Sequence, residues 1–247
     1  MEAVILAGGL GRRLKSVVKD VPKPMADVNG RPFLCFLLDC LLPQGVSRAI
    51  LSVGYKHEII KDYFGTDYNG LALDYAIENE PLGTGGGIRK AMKSVEGDNF
   101  FVLNGDTFFD VSLASLAEFH CSKGASLTMA LKRMENFDRY GAVIVEDEAV
   151  IKFNEKAFVK SGHINAGVYC VNKAIGKAFE ESGGGARFSF ETDFLQKRFR
   201  EIKINAFVCD GYFIDIGIPE DLERAKTELK SFHAGAGRPC GAWAEVG

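Results

Sequence analysis

Three glycines and two arginines stand together near the start of the chain: Gly8, Gly9, Gly11, Arg12 and Arg13, directly after the apolar run Ala3 to Ala7. The run has the character of a buried strand. Glycine lets the turn that follows bring backbone N–H groups against a ligand with no Cβ in the way. Guanidinium groups beside such donors suit a chain of phosphates. A dinucleotide-binding loop asks for a third glycine where Leu14 stands and an acidic residue closing the second strand, which here ends Val53-Gly54-Tyr55. A Walker loop asks for Gly-Lys-Ser/Thr, also absent. Hydride transfer and Walker-type ATP hydrolysis are both disfavoured.

Other residues fit the same phosphates. Lys23 stands between Pro22 and Pro24, which stiffen the backbone and present the ammonium at little entropic cost. Asn104-Gly105-Asp106 closes an apolar run, and a carboxylate there, amid phosphates, points to Mg²⁺. Far downstream, Asp215 lies inside the apolar stretch Phe213 to Gly217, where a carboxylate is costly without a partner or a metal. The pair Asp106 and Asp215 is the candidate metal site. Leu82 to Gly87 is glycine-rich and precedes a helical pattern, so Thr84 and its neighbours are expected to meet a base or a sugar. Glu155-Lys156 and Asn165-Ala166-Gly167 offer carboxylate, ammonium and amide to sugar hydroxyls and a phosphate.

These groups need a frame. Strand patterns (Val4 to Ala7, Ala49 to Val53, Leu71 to Ile77, Phe100 to Leu103, Ser126 to Leu131) alternate with helical ones (Pro32 to Leu42, His57 to Phe64, Gly87 to Ser94, Leu113 to Ser122). This predicts an α/β fold: a Rossmann-like, mostly parallel sheet flanked by helices, with ligands at the carboxyl ends of strands. Gly8 and Asp106 should then line one crevice. From about 141 to 171 the texture turns β-rich, with strands at Ala142 to Val145, Val150 to Phe153 and Ile164 to Val171, which reads as a small insertion on the sugar side. Helices return at Ala174 to Glu181, Glu191 to Phe199 and Pro219 to Lys230, the last after a strand-like Gly211 to Ile216. Ser182 to Arg187 reads as a loop. One domain over 1–231 and a flexible tail over 232–247 are expected.

Composition narrows the class. The chain has 247 residues, 47% hydrophobic and 26% charged, with a formal net charge of -3, so nothing draws it to nucleic acid or to an anionic membrane. No apolar stretch reaches spanning length. The six cysteines are scattered without a Cys-x-x-Cys, which fits small core residues in a cytoplasmic protein.

Taken in order, Leu6 to Leu14, Pro22 to Met25, Gly83 to Gly86, Asn104 to Asp106, Glu155-Lys156, Asn165 to Gly167 and Asp215 to Gly217 resemble the motifs of the sugar-1-phosphate nucleotidyltransferases. The resemblance covers the chain to about Leu229. Its wording from Glu80 to Gly86 is most similar to the bacterial D-glycero-D-manno-heptose 1-phosphate guanylyltransferases. It implies the nucleotide-diphospho-sugar transferase fold and a reaction: NTP, with GTP favoured, plus a sugar 1-phosphate gives NDP-sugar and pyrophosphate. By that likeness Gly8, Gly9, Gly11, Arg12 and Arg13 hold the triphosphate, and Leu6, Ala7, Gly83, Thr84 and Gly85 surround the nucleoside. Arg13, Lys23, Asp106 and Asp215 are the implied catalytic set, with Mg²⁺ on the two aspartates. Gly141, Glu155, Lys156 and Asn165 hold the sugar phosphate. Arg12 departs from the pattern, standing where many relatives carry a small hydroxyl residue. The product implied is GDP-heptose for lipopolysaccharide or capsule, and the β-rich insertion is a candidate homodimer face. A mannose- or N-acetylmuramate-1-phosphate nucleotidyltransferase, using GTP or UTP, and a nucleotide-sugar sensor without turnover are the alternatives.

Overall fold

The computed structural model describes residues 1–9, 14, 18, 20–182 and 187–231. The expected tail 232–247 and residues 183–186 of the expected loop lie outside the described residues. The elements run β1 (Glu2–Leu6), β2 (Asp27–Val28), β3 (Arg31–Pro32), α1 (Phe33–Leu41), β4 (Arg48–Val53), α2 (His57–Phe64), β5 (Asp67–Tyr68), β6 (Leu71–Ile77), α3 (Gly83–Ala91), β7 (Asn99–Asn104), β8 (Thr107–Phe109) and α4 (Leu113–Ser122). They continue with β9 (Leu127–Phe137), β10 (Gly141–Glu146), β11 (Ala149–Lys156), β12 (Val159–Asn172), α5 (Gly176–Ser182), a π-helical stretch Phe190–Leu195 leading into α6 (Gln196–Ile202), β13 (Ile204–Cys209), β14 (Phe213–Asp215) and α7 (Pro219–Glu228).

Ten strands share one sheet in the order β10-β11-β13-β9-β12-β7-β1-β4-β6-β5. Four neighbouring strands, β7-β1-β4-β6, run parallel, as do β13 and β9. The first strand of the four lies between the second and the fourth, so the strand order reverses at β1. Such a reversal opens a crevice at the carboxyl ends of the strands. Here those ends are Leu6, followed by Gly8, and Asn104, followed by Asp106.

Side chains alternate across these strands as the pleat requires. Ala3, Ile5, Ala49, Leu51, Phe101 and Leu103 enter one apolar layer, which α1, α2, α4 and α7 cover. Val4, Ile50, Phe100 and Val102 enter the other, packed by Ile88 of α3, Phe179 of α5 and Phe190 and Phe194 of the π-helical stretch. Cys35 and Cys170 are buried among these apolar side chains. No helix among the described residues is long and apolar enough to cross a membrane.

The β-rich part continues the same sheet. β12 runs antiparallel to both β7 and β9, and β10 pairs with β11 and again with β12, so β10-β11-β13-β9-β12 close into a ring. The ring closes through short pairings, Ala149 with Asn205 and Ala142–Val143 with His163–Ile164. β13 is not predicted by the sequence pattern, because the buried Asn205 interrupts its apolar run. A second difference concerns the glycine motif. α3 begins at Gly83, so Thr84 to Gly87 form its first turns and are not a loop before it.

Candidate active site

Lys23 is 8% exposed. It opens a short turn, Lys23–Met25, with Pro22 before it and Pro24 within it. Its Nζ lies 2.5 Å from Asp106 Oδ2 and 3.6 Å from Asp215 Oδ1. The two aspartates, far apart in sequence, meet because β14 pairs antiparallel with β8: Asp215 stands opposite Thr107, and Ile216 N–H donates to Asp106 O at 3.0 Å. Asp106 itself is fixed by the tight approach of its neighbour Gly105 to β1. Gly105 N–H donates to Leu6 O at 3.0 Å, and a Cβ at Gly105 would lie 2.6 Å from that oxygen. Glycine is required there by space.

Beside this cluster is a cleft of about 330 Å³, within the range of small-molecule sites. Leu6, Gly8, Gly9, Lys23, Thr84 and Asp106 are among its walls. The crevice predicted from Gly8 and Asp106 is therefore a single space. Gly11, Arg12 and Arg13 lie outside the described residues.

The far wall carries acceptors that the motifs did not single out. Glu78, just past the end of β6, accepts from Ser52 Oγ at 3.1 Å through Oε1 and from Leu82 N–H at 2.9 Å through Oε2. Ser52 and Glu78 line the cleft. Asn104 Oδ1, also in the wall, is buried with no hydrogen-bond partner among the described residues. A polar residue in an otherwise apolar strand (Ser52) and an acid at a strand's carboxyl end (Glu78) are signals the sequence carries. Arg187 and Glu191 complete the wall from a segment whose approach to α3 no local pattern announces.

Residues 2–231 match the family model described as nucleotidyl transferase. The chain belongs to the nucleotidyl transferase family. It is 51% identical over 232 residues to a D-glycero-alpha-D-manno-heptose 1-phosphate guanylyltransferase from Aneurinibacillus thermoaerophilus, a match spanning 94% of this chain and 100% of that protein. The enzyme of the same name from Campylobacter jejuni subsp. jejuni is 50% identical, over 90% of this chain and 96% of that protein. Among solved structures, HddC from Yersinia pseudotuberculosis complexed with GMP-PN superimposes with a TM-score of 0.81 at 42% identity, covering 93% of this chain and 99% of that one.

In this nucleotidyl transferase not every motif residue faces the cleft. Ala7 is buried, its N–H donating to Ser52 O at 2.8 Å. Gly85 is buried against the ring of Phe188 and donates its N–H to Phe188 O at 3.1 Å. Thr84 reaches the cleft, yet its hydroxyl is engaged, donating to Glu191 Oε2 at 2.7 Å and accepting from Phe190 N–H at 2.8 Å. The expected contact of Thr84 with a base or sugar thus meets a residue already used to seat the segment 187–191.

On the other side of Asp215, a second cavity of about 200 Å³ is lined by Arg139, Tyr140, Phe213, Asp215 and Asp221. The Tyr140 ring packs edge-on against Phe213 at 5.7 Å. Burial, reinforced by the nearby Asp215 carboxylate, pushes the Tyr140 phenol up to about 12. Gly141 follows Tyr140 and stands opposite Lys156 across β10 and β11. Glu155 and Lys156 are exposed and line neither cavity. Asn165 donates through Nδ2 to Tyr169 OH at 2.7 Å and accepts from Gly167 N–H at 3.0 Å. A Cβ on Gly167 would lie 2.8 Å from Asn104 Nδ2, which places this bulge of β12 directly behind the cleft wall.

Proposed function

We propose that this nucleotidyl transferase joins GMP from GTP to D-glycero-D-manno-heptose 1-phosphate, giving GDP-heptose and pyrophosphate. The observation that carries the reading is the convergence of Lys23, Asp106 and Asp215 at the strand-order reversal, on one wall of a cleft that also holds Gly8 and Gly9. Two relatives of that name, each half identical over nearly the whole chain, support the sugar. GTP is supported by Glu78: its carboxylate has lone pairs beyond those used by Ser52 and Leu82, and guanine offers adjacent N1–H and N2–H donors that suit a carboxylate.

The nucleophile in such a transfer is a phosphate oxygen, anionic near neutral pH. It attacks the α-phosphorus, the bond from the α-phosphorus to the bridging oxygen breaks, and pyrophosphate leaves with the electron pair. No general base is needed, and none of His57, His120 or His163 lines the cleft. The difficulty is charge: two anions must meet, and more charge builds on the leaving group. Lys23, fixed by two prolines, is the cation positioned to offset it, together with backbone N–H groups of the glycine turn.

Mg²⁺ is the proposed cofactor. Two carboxylates focused on one point, with no third His, Cys, Asp or Glu beside them among the described residues, match a cation that takes one or two carboxylates and completes its shell with phosphate oxygens. When bound to Asp106 and Asp215, it would supply charge neutralisation to the reacting phosphates. Arg13 and Arg12 for the triphosphate, and Glu155, Lys156 and Asn165 for the sugar phosphate, belong to the same proposal.

One matrix tests it: four NTPs against heptose, mannose, glucose and N-acetylmuramate 1-phosphates, with and without EDTA, read as pyrophosphate release. The expected result is EDTA-sensitive pyrophosphate with GTP and the heptose. Release with another sugar or base alone reassigns the substrates, and no release in any cell refutes turnover.

A further inference from the structure

The second cavity contains a buried carboxylate that the reaction does not use. Asp221, in the first turn of α7, is 3% exposed. Its Oδ2 lies 2.6 Å from Arg139 Nη2, and its Oδ1 lies 3.1 Å from Arg224 Nη1.

The two arginines differ in what they hold. Arg224 belongs to α7 itself and also bonds Glu228, so its pair with Asp221 stays within one helix. Arg139 belongs to the three-residue connection between β9 and β10. Its guanidinium stacks over the Tyr140 ring, with 5.7 Å to the centroid. Tyr140 in turn packs on Phe213, the first residue of the strand that delivers Asp215 to Lys23. The residue after Tyr140 is Gly141, opposite Lys156. One buried carboxylate on α7 thus ties down the connection that packs on Phe213 and leads into Gly141.

We infer that Asp221 and Arg139 form a clamp of positioning residues for the acceptor side of the site, fixing the 138–141 rim for the sugar 1-phosphate while leaving the nucleotide side untouched. The inference rests on the proposed transfer for its acceptor. Without Arg139 the Asp221 carboxylate keeps Arg224 but loses its tie to the rim, so the rim should loosen without any loss of a group that touches the triphosphate.

Two variants test it. Arg139→Gln changes a partly exposed residue and should fold normally; Asp221→Asn keeps the volume of the buried one. In both, the KM for the sugar 1-phosphate should rise about tenfold while the KM for GTP stays within about twofold, and Arg139→Lys should recover part of the loss. Hydrogen exchange of the segment 134–141 should become about tenfold faster with β1 and β7 unchanged. Equal shifts in both KM values, or none, would overturn the assignment. If the wild-type chain releases no pyrophosphate from any pair, the proposed transfer fails, and unchanged exchange of 134–141 in Arg139→Gln would separately sink the clamp.

Discussion

Lys23→Met isolates the charge argument, because it keeps the length of a buried side chain and removes only its ammonium. In the wild-type chain that ammonium sits 2.5 Å from one carboxylate and 3.6 Å from another. Without it, Asp106 and Asp215 face each other across no more than about 6 Å, the sum of those two distances. At an effective dielectric of about 20, two like charges at that separation repel by about 3 kcal/mol. The Asp106 side chain is 37% exposed, so solvent and salt screen part of this, and roughly 1–2 kcal/mol is expected. For a chain of this size that lowers the thermal midpoint by about 3–6 °C. Turnover should fall further, by about 10²- to 10³-fold in kcat, the usual cost of one preorganised charge at a reacting centre.

The assay pairs thermal unfolding with pyrophosphate release at saturating substrates, for Lys23→Met and for the double variant Lys23→Met/Asp215→Asn. Deleting one carboxylate removes the repulsion, so the double variant should regain most of the lost midpoint and none of the activity. Mg²⁺ should raise the midpoint of Lys23→Met more than that of the wild type. A midpoint that the second substitution leaves unchanged would show that repulsion is not the cause. A kcat near that of the wild type would show that Lys23 does not act on the reacting phosphates.

Three further outcomes follow from particular contacts. Glu78→Gln should lower kcat/KM for GTP by about 1–3 kcal/mol, roughly 5- to 150-fold, and narrow the preference over ATP; an unchanged ratio in a competition assay would remove Glu78 from base selection. Gly105→Ala should destabilise the fold by about 1–3 kcal/mol in denaturant unfolding, because its Cβ would meet Leu6 O at 2.6 Å; a neutral result would mean that the turn relaxes freely. His120 is buried, its Nδ1 2.9 Å from Thr128 Oγ1, and burial holds its pKa below the ordinary value. The unfolded chain then binds more protons below about pH 6.5, so stability should fall as pH drops through that value; His120→Gln should flatten the slope in unfolding measured between about pH 7.5 and 5.5.

What could be read in advance was what local chemistry dictates. Pro-Lys-Pro announces a presented ammonium, and Lys23 is held by that turn. The apolar strands with glycine or aspartate at their carboxyl ends announce a crevice, and Gly8 and Asp106 share one. Ser112, a hydroxyl residue just before the helical pattern that starts at Leu113, caps α4: its Oγ accepts from Ser115 N–H at 3.2 Å. What escaped depends on distant segments meeting. Asp215 reaches Asp106 only through the three-residue pairing of β8 with β14, strands too short to show a periodicity. Thr84 looked available because its partners, Phe190 and Glu191, come from the other end of the chain. Asp221 sits in a helix pattern that reads as amphipathic, where an acid in the first turn is ordinary, and only packing reveals that it is buried.

The position of Lys23 also sets the order of charge exchange in the site. Its ammonium is committed to two carboxylates, so a triphosphate arriving alone would have to compete with both of them for it. A triphosphate arriving with the proposed divalent cation would bring the exchange in matched pairs: Asp106 and Asp215 would hold the cation, and Lys23 would be released to the phosphates. The ammonium of Lys23, 8% exposed, would then never be left without a counter-charge, which is the costly alternative for a buried cation. Nucleotide and cation binding should accordingly favour each other, by reciprocal linkage through one side chain. On the proposed transfer, the cluster would hold its own counter-ion until the substrate supplied another.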